Sequence, residues 1–258
     1  MTPGTPSSTG ESRRDVLAEV ILVLSVSLGY SAAWSVVDLI GKMAAGGALS
    51  AQSTSLNPAA AAGRPGLDLA FQLVRIVFGA APAFLALYLL RRAGRLDPMG
   101  WRARRIRFDA GWGLGLAAAI GVPGLALYEA SRAIGLNTTV IPEALPGAWW
   151  TVPVLLLSAA QNAFLEEVVV VGYLMDRLPQ ISWSLPVAVA ASALFRGSYH
   201  LYQGFGGFLG NVVMGVVFSL FFARFRRVTP LIVAHAILDA AAFLGYHFLH
   251  GRLAGLGI

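Results

Sequence analysis

Two adjacent glutamates, Glu166 and Glu167, interrupt the apolar run "NAFLEEVVVVGYLMDRL" that spans Asn162 to Leu178. Further along, "RGSYHLYQG" carries Arg196 and His200, and "VAHAILDAAAF" carries His235 and Asp239. His235 and Asp239 are four residues apart, so they share one helical face, and a carboxylate in that position can fix the tautomer of an imidazole. The two glutamates, in succession, point about 100° apart on a helix; one is expected to react and the other to be its structural partner. A glutamate in a water-poor site is suited to deprotonate water. One neutral histidine would orient that water, and the other, held by Asp239, would donate to the oxyanion of a tetrahedral intermediate. Glu166, His200 and His235 also have ligand types that suit zinc, although the HExxH spacing of zinc proteases is absent. The expectation is therefore a site without metal or other cofactor, with zinc as the alternative.

These groups sit in a chain of 258 residues that is 57% hydrophobic and only 12% charged, which is the composition of a membrane protein. The absence of cysteine removes thiolate ligands, disulfides and thiol nucleophiles from consideration. The net charge of +6 does not imply nucleic acid, because the arginines cluster between apolar runs rather than on one face of a soluble domain. A span needs roughly 20 apolar residues. Segments that reach or approach this length are Val16–Ile40, Leu67–Leu90, Asp109–Ile134, Trp149–Met175, Ser184–Gln203, Gly206–Ala223 and Pro230–His250. The fold class is thus all-α, a polytopic transmembrane helix bundle of about seven spans. Residues 1–12, rich in Pro, Gly, Ser and Thr, read as a disordered cytoplasmic tail, and 13–258 as a single transmembrane helical domain.

Positive charge gives the orientation. With a cytoplasmic N-terminus, the inner segments hold Arg13, Arg14, the run from Arg91 to Arg107, Arg177, and Arg224, Arg226 and Arg227. The outer segments hold only Lys42, Arg64 and Arg252, as the positive-inside rule requires of an odd number of spans and an external C-terminus. Among the remaining polar residues in apolar runs, Arg75 reads as a structural charge partner, and Glu129 with Arg132 as an i,i+3 pair. Asn211 in "GFLGNVVMG" reads as a packing residue bonding across helices, and His247 and His250 as interfacial. One expectation is awkward. At about 1.5 Å per residue, Glu166 stands roughly 15 Å above the cytoplasmic end of its helix, His235 about 8 Å and His200 about 24 Å, and straight upright helices would not bring them together.

The order and spacing of these motifs resemble the CPBP intramembrane proteases, the CAAX endopeptidase and bacteriocin-processing group, whose patterns are E-E-x-x-x-R, F-x-x-x-H and H-x-x-x-N/D. The resemblance covers about 149–243, where Glu166 and Glu167, then His200, then His235 with Asp239 occupy the motif positions. Two positions depart from it: Val171 stands where the family has arginine, and Arg196 where it has phenylalanine, with Phe195 one place early. These departures can be one exchange, Arg196 supplying from a neighbouring helix the charge absent at Val171. The resemblance implies an intramembrane endopeptidase in the lipid bilayer acting on a membrane peptide or protein substrate, with no nucleic-acid partner. A catalytically degenerate member serving immunity or interaction, or a proton-coupled transporter, are the alternatives.

Overall fold

The computed structural model describes residues 11–95, Gly100 and residues 105–254, the side chains of 250–254 excepted. The expected tail over 1–10, and Arg102 and Arg104 of the basic loop, lie outside the described residues. Apolar helices dominate: α1 Arg13–Ala44, α2 Pro65–Arg92, α3 Ile106–Ala133, α4 Thr151–Ile181, α5 Leu185–Ser198, α6 Phe205–Phe225 and α7 Thr229–Ala254. Among the described residues, six helices are long and apolar enough to cross a membrane, and α5 is a shorter apolar helix. The chain is an integral membrane protein.

Helix starts follow local chemistry. Ser12, at the end of the expected tail, caps α1 through a capping box with Asp15. Proline at the first turn of α5 has no N–H to lose there. Two short parallel strands, β1 Ser53–Ser55 and β2 Thr139–Ile141, join the loop after α1 to the loop after α3.

The fifth span differs from the expected Ser184–Gln203. α5 has 14 residues, about 21 Å against a hydrocarbon core of about 30 Å. The chain then leaves the helix at Tyr199 and His200, makes a 3₁₀ turn at Leu201–Gln203 and reverses at Gly204. Gly204 adopts φ +110°, and a Cβ there would lie 2.6 Å from the Leu136 carbonyl oxygen, so only glycine fits. α4 differs the other way: it runs past the expected Met175 to Ile181 and stops where Ser182 turns left-handed at φ 69°.

α4 is the axis of the bundle, with 61% of its most apolar window buried against 17–39% for the other spanning helices. Val168, Val169, Val170 and Val171 are wholly buried in the main core, packed among side chains of α1, α2, α5, α6 and α7. At one end of the bundle, Asp176 of α4 receives Arg95 from the end of α2 at 2.5 Å and Arg226 from the end of α6 at 2.6 Å. Arg177 pairs there with Glu19 at 2.7 Å and Glu11 at 2.8 Å, and Arg227 with Asp109 at 2.7 Å. Arginines from three of the segments expected on the inner side therefore gather at the same end.

Candidate active site

Glu166 and Glu167 fall where α4 changes from α-helical to π-helical winding, the wide turn running Glu167–Tyr173. Such π segments are frequent at functional sites. Ser192 of α5 donates to the Val170 carbonyl at 2.7 Å and accepts from Ser219 of α6 at 3.1 Å, which ties three helices together beside the glutamates.

Arg196 joins both carboxylates. Its Nη2 donates to Glu167 Oε1 at 2.7 Å and its Nη1 to Glu166 Oε2 at 3.4 Å, and the side chain is wholly buried. Space for it comes from Gly215 of α6, where a Cβ would touch Ala193 at 2.8 Å and Arg196 Cδ at 3.4 Å. The Phe218 ring lies 5.6 Å from the guanidinium carbon. A buried cation that bridges two anions offsets the cost of taking all three out of water. The charge absent at Val171 is thus present in space, on the neighbouring helix.

The two glutamates differ in exposure. Glu167 is wholly buried, and its Oε1 also lies 2.7 Å from His235 Nδ1. Glu166 lines a cavity of about 460 Å³ together with His200, His235, Asp239 and Tyr199. Its Oε2 accepts from the Tyr199 hydroxyl at 2.8 Å. His200 Nε2 lies 3.7 Å from the same oxygen, beyond hydrogen-bond reach, and has no partner among the described residues. The Gln203 amide nitrogen is 3.4 Å from His200 Nδ1; an amide nitrogen only donates, so a neutral His200 carries its hydrogen on Nε2.

The depth mismatch closes between α4 and α5. The 15 residues from Glu166 to Ile181 measure about 22 Å, and the shortened α5 places His200 just beyond about 21 Å. The turn carrying His200 is held by α1: Ser35 donates to the Tyr199 carbonyl at 3.0 Å and Lys42 to the Tyr202 carbonyl at 2.8 Å. Thr138 N–H donates to the Gln203 carbonyl at 2.8 Å.

Several expectations change. Asp239 Oδ1 is 3.6 Å from His235 Nε2, too far to hold the ring; Glu167 holds it instead, from the other nitrogen. Four-residue spacing puts two side chains on one face but does not set their separation. Asn211 donates to Gly207 of its own helix at 3.0 Å rather than across helices, and it is not among the residues around the cavity. Arg75 has no ion pair or hydrogen bond among the described residues and lines the cavity instead. Glu129 and Arg132 pair at 3.2 Å, and His247 meets Glu143 at 3.0 Å. Sequence reasoning missed Tyr199, whose signal was only a phenol beside the motif histidine, and Gln203.

Residues 148–241 match the family described as Type II CAAX prenyl endopeptidase Rce1-like, a stretch that holds both glutamates, His200, His235 and Asp239. Neither the comparison with curated proteins nor that with solved structures gives a match.

Proposed function

We propose, from the family match over residues 148–241, that the chain is an intramembrane endopeptidase of the CPBP, or CAAX-protease, family in which Glu166 activates water against a peptide bond of a membrane-associated substrate. The observation that carries this reading is the closeness of Glu166, on the cavity wall, to His200 Nε2, which lies 3.7 Å away and has no hydrogen-bond partner among the described residues.

Tyr199 and Arg196 hold Glu166 Oε2, which leaves Oε1 to receive a proton from water. As the water oxygen bonds to the scissile carbonyl carbon, the carbonyl oxygen becomes an oxyanion, and His200 Nε2–H is placed to donate to it. His235, with Nδ1–H directed to Glu167, offers its Nε2 lone pair to the attacking water. The proton taken by Glu166 then passes to the amide nitrogen as the C–N bond breaks. This assigns the oxyanion donor to His200 and the water-orienting role to His235, the reverse of the sequence expectation that Asp239 holds the donating histidine. The N-terminus is cytoplasmic in this reading, since the arginine-rich end of the bundle would face inward.

The roles make Glu167 the positioning residue for His235 and give Asp239 a lesser one. In purified folded protein, Glu167→Gln is expected to lower kcat/KM more than Asp239→Asn, and His235→Ala more than Asp239→Ala. A larger loss from either Asp239 variant would contradict the assignment. The reaction is proposed to need no metal, because Arg196 already offsets the paired carboxylates. Dialysis against strong chelators should leave the rate unchanged, and a loss that zinc restores would overturn this.

A further inference from the structure

Arg75 lies ten residues, about 15 Å, inside α2 from Pro65, which is near the middle of a span. Arginine cannot shed its charge in a protein, and charged residues at such depth face cavities or partners and mark function. Here the cavity is the one that Glu166 lines, and no described residue pairs with the guanidinium. Gln161 of α4 lines the same cavity and packs against α2 one turn away, where a Cβ on Gly79 would lie 2.9 Å from its Nε2. Its amide, too, has no hydrogen-bond partner among the described residues. A permanent cation and an amide about one helical turn along from it, both lining the cavity, can together receive a carboxylate.

The distance to the reacting groups follows from the packing. α2 and α4 run parallel, since Gly79 meets Gln161 at one level and Arg95 meets Asp176 at another. Arg75 stands four residues to one side of the Gly79–Gln161 level and Glu166 five residues to the other, so they are separated along the bundle by about 13 Å. An extended peptide covers that distance in about four residues. We propose, resting on the endopeptidase reading above, that Arg75 with Gln161 forms a specificity subsite for a substrate carboxylate about four residues from the scissile bond. The carboxylate is either a free chain end or an acidic side chain. A lipid phosphate is disfavoured, because Arg75 is too deep in its span for a headgroup to reach.

The test uses matched membrane peptides that end in a free acid, end in an amide, or end in an amide with an internal aspartate at the same distance. Wild-type kcat/KM should favour the carboxylate-bearing peptides by about tenfold or more, and whichever of the two is favoured identifies the source. In Arg75→Met that preference should collapse toward unity, and in Arg75→Lys part of it should return. Equal cleavage of all three peptides by the wild type, or a preference unchanged in Arg75→Met, would overturn the proposal. So would loss of binding to phosphatidylglycerol vesicles in Arg75→Met with peptide preference intact. The affinity of the same peptides for Glu166→Gln, read without turnover, separates this proposal from the catalytic one: carboxylate-dependent binding lost in Glu166→Gln/Arg75→Met supports the subsite even where no peptide is cleaved.

Discussion

Glu166→Ala should lower the rate of peptide hydrolysis by about 10²- to 10⁴-fold, the contribution of a positioned general base, while thermal unfolding stays close to that of the wild type. The expected separation of activity from stability follows from where the side chain lies. Glu166 is on the cavity wall, and its removal deprives only the Tyr199 hydroxyl and one Arg196 nitrogen of an acceptor. Arg196 keeps Glu167 at 2.7 Å, so no buried charge is left alone. A variant that retains more than about a tenth of the rate would show that another group takes the proton.

The second large effect is on stability, and it belongs to Arg196. Replacing it by phenylalanine leaves Glu167 wholly buried and without its cation, and such broken buried pairs cost about 3–5 kcal/mol. The loss should appear as a fall in the unfolding midpoint in detergent, accompanied by loss of activity, because the same guanidinium holds α5, and with it His200, beside α4. Arg196→Lys keeps the charge but cannot reach two carboxylates with a planar fork, and should fall between the two. Adding Val171→Arg to Arg196→Phe restores the family pattern on α4 and should recover part of both losses. A double variant no better than the single one would show that the arginine has not simply moved from one helix to the other.

The spans were legible because a bilayer demands long apolar segments with few charges, and the glutamates and histidines were legible because they break those segments. Helix ends were less so. Nothing in "DRLPQI" announces that α4 continues, since Arg177 resembles a loop residue until Glu11 and Glu19 are brought to it from α1 and the chain before it. The early end of α5 depends on Gly204 lying against Leu136 and Asn137, a contact between segments far apart in sequence. The pairing of Arg196 with both glutamates could be anticipated because, within the spans expected at Trp149–Met175, Ser184–Gln203 and Pro230–His250, it is the one arginine or lysine. Its converse could not: the lack of a partner for Arg75 among the described residues, and the choice of Glu167 over Asp239 to hold His235, are properties of distances that residue spacing does not set.

The most direct measurement is hydrolysis of a membrane-peptide library by purified protein in water enriched in ¹⁸O, with products read by mass spectrometry. Wild type is expected to give, in the presence of chelator, discrete cleavage products whose new carboxyl termini carry the label, and Glu166→Ala to give none. No cleavage by folded wild-type protein, or the same labelled products from Glu166→Ala, would contradict this reading.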